Sequence, residues 1–267
     1  MMKNIAFYKY QGNGNDFILF DNRNNSLPPY QQKTYKKLCD RRWGIGADGI
    51  IVLKKHSKYD FEMLYYNADG KISSMCGNGA RCIVSFANFL KIMKNSENQY
   101  NFIASDGKHT ASIDAHGIVT LSMNDVNKIK VNKAGDYILN TGSPHYVKIV
   151  TDITKINVKK EGKKIRDSSI YRKAGINVNF VQINEKEISV RTYERGVEDE
   201  TLSCGTGVTA AAICSLFHRP YFTEHNVIDV KTTGGDFKVR VSYNGKSFTS
   251  IYLIGDTLQV FQGAIKL

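Results

Sequence analysis

The chain has 267 residues, of which 42% are hydrophobic and 11% aromatic, and its 37 Lys and Arg against 25 Asp and Glu give a formal charge of +12. That length and composition suit a globular protein with one large domain or two small ones. The lysines are scattered apart from one dense stretch, Lys155 to Arg166, with no arginine-rich or aromatic-interleaved signature beside them, so the charge reads as a solvated surface and no nucleic-acid partner is expected.

In chain order, Ile5 to Tyr10 alternates as a strand, turns at Gly12-Asn13-Gly14-Asn15-Asp16 and resumes as a second strand over Phe17 to Phe20. Asn13 and Asp16 read as residues that shape this turn. Pro28-Pro29 opens a helix expected to run to Arg41 or Arg42, with Tyr30, Tyr35 and Leu38 inward. The loop Gly44 to Gly49 leads into a strand over Ile50 to Leu53. Phe61 to Tyr66 is another strand and ends at Asn67-Ala68-Asp69-Gly70. A helix follows Cys76 and is expected to reach about Met93, with Phe86 and Phe89 widening its apolar stripe. Phe102 to Met123 reads as strand, turn and strand.

The second half repeats the order. Tyr137 to Leu139 enters the loop Asn140 to His145, followed by strand Tyr146 to Val150, a partly helical charged stretch over Lys155 to Tyr171, and strands at Asn177 to Ile183 and Ile188 to Tyr193. The helix after Cys204 is small and apolar all round, which marks a central core helix. From Val227 onward, three short strands are expected. The fold class is therefore α/β (α+β), as two pseudo-equivalent domains with the active cleft between them. Neither the first ten residues, which mix Lys3 and Lys9 with apolar side chains, nor the run Val208 to Phe217 fits a signal peptide or a bilayer span, so a cytoplasmic protein without membrane contact is expected.

Five cysteines (Cys39, Cys76, Cys82, Cys204 and Cys214) form no disulfide-scaffold pattern and no zinc spacing, so no metal is expected. Cys39, Cys82 and Cys214 read as small core hydrophobes. The other two share a context: Cys76-Gly77-Asn78-Gly79 and Cys204-Gly205-Thr206-Gly207 each run straight into a helix. Glycines allow a tight turn with exposed N–H groups, and a helix start lowers a thiol pKa. Two activated thiols facing one carbon from opposite sides can remove a proton and return one on the other face, which is racemase or epimerase chemistry without a cofactor. The backbone N–H groups of Gly77, Asn78, Gly205 and Thr206 then suit a substrate α-carboxylate. A thiol redox protein is the reading from another class.

Gly12-Asn13-Gly14-Asn15-Asp16-Phe17, Asn67-Ala68-Asp69-Gly70, Cys76-Gly77-Asn78-Gly79-Ala80-Arg81-Cys82, Ser143-Pro144-His145, Tyr193-Glu194-Arg195-Gly196 and Ser203-Cys204-Gly205-Thr206-Gly207, in this order, resemble the diaminopimelate epimerase family. Proline and hydroxyproline racemases share the two-cysteine logic but not the Tyr-Glu-Arg-Gly and Asn-Ala-Asp-Gly segments. The resemblance implies a cofactor-independent enzyme that interconverts LL- and meso-diaminopimelate, on the bacterial route to lysine and peptidoglycan precursors. It implies two pseudo-symmetric domains, each a mostly antiparallel curved sheet around a central helix, over residues 1–122 with 256–267 and residues 123–255. A homodimer is also implied. By the same resemblance Cys76 and Cys204 are catalytic, and Asn15, Asn67 and Asn177 hydrogen-bond the distal end of the substrate. Arg195 pairs with the distal carboxylate and Glu194 with an amine, while Ser143 and His145 support the site. Two positions depart from the family pattern: Ser143 stands where an Asn is common, and Gly49 where some members carry Gln.

Overall fold

The computed structural model describes residues 4–73, 75–218 and 225–267. Its chain divides into two compact units, Met1–Leu121 with Gly255–Leu267, and Ser122–Ile254.

The first unit begins with β1 (Asn4–Gly12) and β2 (Asn15–Asp21), an antiparallel hairpin in which Gly12 pairs with Asn15. Asn13 (φ 52) and Gly14 (φ 81) turn between them. Positive φ at both central residues gives the mirror-image turn whose twist matches the strands, which is why Asn-Gly stands here. Helix α1 (Gln32–Cys39) is shorter than the sequence suggests at both ends. Pro28-Pro29 lies ahead of it, since a residue before proline is driven out of helical dihedrals; Tyr35 and Leu38 are buried, while Tyr30 is exposed, its ring stacked on Tyr66 and edge-on to Tyr35 and its hydroxyl donating to the Gly70 carbonyl. Strands β3 (Gly49–Lys54) and β4 (Phe61–Asn67) follow, then helix α2 (Gly77–Phe89), which ends well before Met93. Lys91 takes a positive φ just beyond its end, and Phe89 and Met93 are exposed, so the stripe is narrower than expected. Strands β5 (Tyr100–Ala104), β6 (Gly107–Ile113) and β7 (Val119–Ser122) make three where two were expected.

The second unit has β8 (Lys130–Val131), β9 (Tyr137–Asn140), β10 (Pro144–Ile149), α3 (Val158–Arg166), β11 (Asn177–Ile183), β12 (Glu187–Glu194), β13 (Asp199–Thr201), α4 (Gly205–His218), β14 (His225–Thr232), β15 (Gly235–Tyr243) and β16 (Phe248–Gly255). The chain then returns to the first unit with β17 (Leu258–Lys266), which pairs antiparallel with β1. The three short strands expected after Val227 are thus four longer ones. Strands β8 and β13 carry too few residues to register as an alternating pattern.

The two units repeat the same order of strand pairings. From β1 to β7 the pairings run antiparallel, parallel, antiparallel, parallel, antiparallel, antiparallel. From β9 through β10, β11, β12, β14 and β15 to β16 the same alternation recurs. Helix α1 fills the first parallel crossover in one unit and α3 in the other; α2 and α4 fill the second. Parallel neighbours require such crossovers, whereas the antiparallel ones need only turns. β17 stands against β1 as β8 stands against β9. Each sheet is mostly antiparallel, and α2 packs against β1, β2, β3, β4 and β6 as α4 packs against β9, β10, β11, β12, β14 and β15. A helix touched on that many sides buries most of its surface, and α4 buries every residue from Gly205 to Ser215.

The basic stretch is engaged with acids: Lys159 with Asp199, Lys163 with Asp167, and Arg166 with Glu198. Among the described residues no helix is long and apolar enough to cross a membrane.

Candidate functional site

Both cysteine turns stand at the start of their unit's central helix. Cys76 is extended (φ −102, ψ 125) and its carbonyl accepts the first intrahelical bond, from Ala80 N–H at 2.7 Å. Cys204 does the same for Val208 N–H at 2.8 Å. The N–H groups of each first helical turn therefore point out of the helix end beside the sulfur. The remaining cysteines are different in kind. Cys39 is buried and its thiol is pushed up to about 12, and burial likewise raises Cys82 and Cys214. A thiol that ionises so reluctantly is a packing group.

Around Cys76 the structure gathers Asn15 and Asn78. Cys76 Sγ is 3.6 Å from Asn15 Oδ1, which also accepts from Asn78 Nδ2 at 3.4 Å. Asn15 Nδ2 donates to Asp48 Oδ2 at 2.6 Å. Behind Asn15, Asp16 receives Arg41 through both oxygens (2.6 and 2.9 Å) and Lys9 at 2.7 Å. Burial alone would raise the Asp16 carboxyl, but Arg41 and Lys9 overcome it and hold the pKa at about 2. Asp16 thus does more than shape a turn: it anchors the strand end that carries Asn15. Arg81, fully buried in α2, donates to Asn78 Oδ1 at 2.8 Å and to the Asp256 carbonyl at 2.9 Å. Burial lowers its pKa to about 10, which leaves it a cation at neutral pH. Asn67 ends β4 in register with Gly49 and is exposed. Gly49 admits no side chain, since a Cβ there would lie 2.6 Å from both the Tyr65 ring and the Tyr66 carbonyl oxygen. The glutamine of other members has no room beside this Tyr65.

Around Cys204 a second group assembles. His145, fully buried, belongs to strand β10 rather than to the loop where the sequence placed it. Its Nε2 is 2.9 Å from Thr206 Oγ1, which is 3.5 Å from Cys204 Sγ. Burial, reinforced by the charge of Arg195, lowers the His145 pKa to about 3, so the imidazole is neutral. Thr141 Oγ1 donates to the Thr206 carbonyl at 2.8 Å and fixes the helix start from β9's side. Asn177 donates to Ser143 Oγ at 3.0 Å and accepts from Arg195 N–H at 2.8 Å. The Arg195 guanidinium, on an exposed residue, is tethered to the Ala174 carbonyl (3.1 Å) and Ser143 Oγ (3.3 Å). Ser143 is therefore the link between Asn177 and Arg195. Glu194 ends β12, half-buried, opposite Asp199.

Sequence reasoning passed over Asn179, Asp48, Thr141 and Arg81's role as a buried anchor. Asn179 had a signal: it follows Asn177 by two residues in a strand, so both amides lie on one face. Asp48 and Thr141 have none, because their partners are remote in the chain. Among the described residues no cluster of three or more His, Cys, Asp or Glu could hold a metal ion.

The diaminopimelate epimerase family model matches residues 7–129 and 137–259, and so spans both cysteine turns. The chain belongs to this family. It is 48% identical over 263 residues to a diaminopimelate epimerase of Flavobacterium psychrophilum, covering 98% of this chain and all of that one. A diaminopimelate epimerase of Chlorobaculum tepidum is 38% identical over 96% of this chain and 99% of its own length. Solved structures share the fold at low identity. A phenazine biosynthesis protein of the PhzF family from Bacillus anthracis superimposes with TM-score 0.77 at 13% identity, with all of both chains covered. A hydroxyproline epimerase from Agrobacterium vitis gives 0.70 at 13%, covering 99% of this chain and 93% of that one. The fold is thus the two-domain, pseudo-symmetric α/β one.

Proposed function

We propose that the protein interconverts LL- and meso-diaminopimelate without a cofactor, with Cys76 and Cys204 as the acid and base. The observation that carries this is equivalence of position. Each cysteine ends the segment entering the central helix at the same point of a repeated ladder, with the helix's first N–H groups beside it. Membership of the family supports the substrate.

In the forward step one cysteine, as thiolate, takes the α-proton and becomes a thiol. The electron pair left on the α-carbon spreads into the α-carboxylate, which the N–H groups of Gly77, Asn78, Gly205 and Thr206 stabilise. The other cysteine, as thiol, gives its proton to the opposite face and becomes the thiolate. The proton count is unchanged and reversal exchanges the roles. Asn15, Asn67 and Asn177 hold the distal end, Arg195 its carboxylate and Glu194 its amine, with Ser143 bonded to Asn177 and Arg195, and His145 supporting Thr206 beside Cys204. We further assign the enzyme to the cytoplasm, as a homodimer; sedimentation of the purified protein reads the second point.

The test is incubation of reduced protein with LL-diaminopimelate in deuterated water. Deuterium at the α-carbon together with the meso product supports the assignment, and Cys76→Ser and Cys204→Ser should each abolish conversion. Well-folded protein that takes up no deuterium refutes it.

A further inference from the structure

Asn179 has no place in the reaction just described, yet it is fully buried and each atom of its amide is bonded. Its Nδ2 is 3.1 Å from the Tyr146 carbonyl and 3.1 Å from His145 Nδ1, and its Oδ1 accepts from Thr192 Oγ1 at 2.9 Å. A carbonyl oxygen only accepts, so the amide nitrogen must be the atom that faces it. The same nitrogen then donates to His145 Nδ1, which must accept. A neutral imidazole that accepts at Nδ1 carries its proton on Nε2. That proton goes to Thr206 Oγ1 at 2.9 Å. With its oxygen so engaged as acceptor, the Thr206 hydroxyl has its own hydrogen to give, and Cys204 Sγ lies at 3.5 Å.

We propose that Asn179 is a positioning residue for Cys204, acting through His145 and Thr206 so that a hydroxyl always donates to the Cys204 sulfur and holds it as the resting thiolate. This rests on the assignment of Cys204 as a catalytic thiol. The direction follows from a backbone carbonyl at one end of the chain, not from any group that titrates near neutrality. The charged and titratable groups facing the relay are few. Among the described residues, β10 supplies His145, Arg195 beyond the end of β12 acts on it, and β11 supplies the amides of Asn177 and Asn179. β14 and β15 turn Val230, Phe237, Val239 and Val241 inward, and Tyr137 on β9 meets His218 at the far end of α4. Arg195 disfavours a charged imidazole, which keeps Nδ1 an acceptor.

The relay is read by the pH dependence of Cys204 alkylation by iodoacetamide, in full-length Cys76→Ser protein, quantified on the Cys204 peptide. Thr206→Val removes the hydroxyl at constant shape, and the Cys204 midpoint should rise by about one to two pH units, so alkylation at pH 7 slows tenfold or more. Thr206→Ser should keep the parent midpoint. Asn179→Asp presents an acceptor to His145 Nδ1, draws the proton there and turns Nε2 into an acceptor, so it should match Thr206→Val. Nitrogen-15 spectra of the parent should show the His145 proton on Nε2. An unmoved midpoint in folded Thr206→Val, or a parent proton on Nδ1, overturns the proposal. Alkylation needs no substrate, so a failure to epimerise diaminopimelate is a separate result.

Discussion

Buried neutral, His145 makes the protein acid-sensitive in a defined window. In the unfolded chain a histidine titrates at about 6.5. In the folded one, burial and then the Arg195 charge hold His145 at about 3. Between those values the unfolded chain binds a proton that the folded chain refuses, so stability falls as pH drops below about 6.5 and stops falling only near the folded value. At pH 5 the loss is RT ln(1 + 10^1.5), about 2 kcal/mol. Asp16 behaves oppositely: its lowered pKa contributes stability above its unfolded value, lost only as pH falls from about 4 toward 2. The two windows barely overlap between pH 7 and 5. The assay is urea unfolding of wild type and His145→Gln across that range. Gln keeps a polar head but does not titrate, so the wild type should lose about 2 kcal/mol more than the variant on going from pH 7 to 5. Parallel profiles would refute the reasoning, because they would mean that His145 accepts its proton inside the fold.

Gly207→Ala puts a Cβ 2.4 Å from Asn179 Oδ1, whose amide is held on every side; a loss of about 1–3 kcal/mol is expected in thermal unfolding, and an unchanged midpoint would show that the amide is free to yield. Asp16→Asn leaves Lys9, 7% exposed at its side chain, with the Gly46 carbonyl and no carboxylate, so denaturant unfolding should show a loss of about 3 kcal/mol or more. Arg195→Ala should lower kcat/KM for diaminopimelate on the order of a hundredfold with little change in unfolding midpoint, since the residue is exposed. Near-normal kinetics would remove Arg195 from the substrate site.

What could be read from the residues alone were the local features. The Asn-Gly hairpin, the two Cys-Gly turns, the small-residue helix α4 and the strand pair β11 and β12 all signal themselves within a dozen residues, because turn chemistry and periodicity are local. The repeat of order in the two halves was visible through those turns, and the ladder gives it physical form. Helix ends were less legible. α1 starts late because its prolines sit before it, and α2 stops before the apolar Met93, which is exposed. The supporting shell was the hidden part. Asp48 reaches Asn15 across 33 positions, and Thr141 reaches Thr206 across 65. No spacing rule links such pairs, so only the folded chain reveals them.

The placement of β17 against β1, with Asn4 opposite Lys266, has a consequence for how the chain acquires its form. A chain made from its N-terminus has every strand of the second unit in hand before residue 258 exists. The unit that is begun first is completed last. Until then β1 presents one bare edge, the kind of template on which other chains can add themselves. Long-range closure of that sort is slow, so nascent or truncated protein lacking the last nine or so residues should be where aggregation starts, while the half that holds Cys204 is already built.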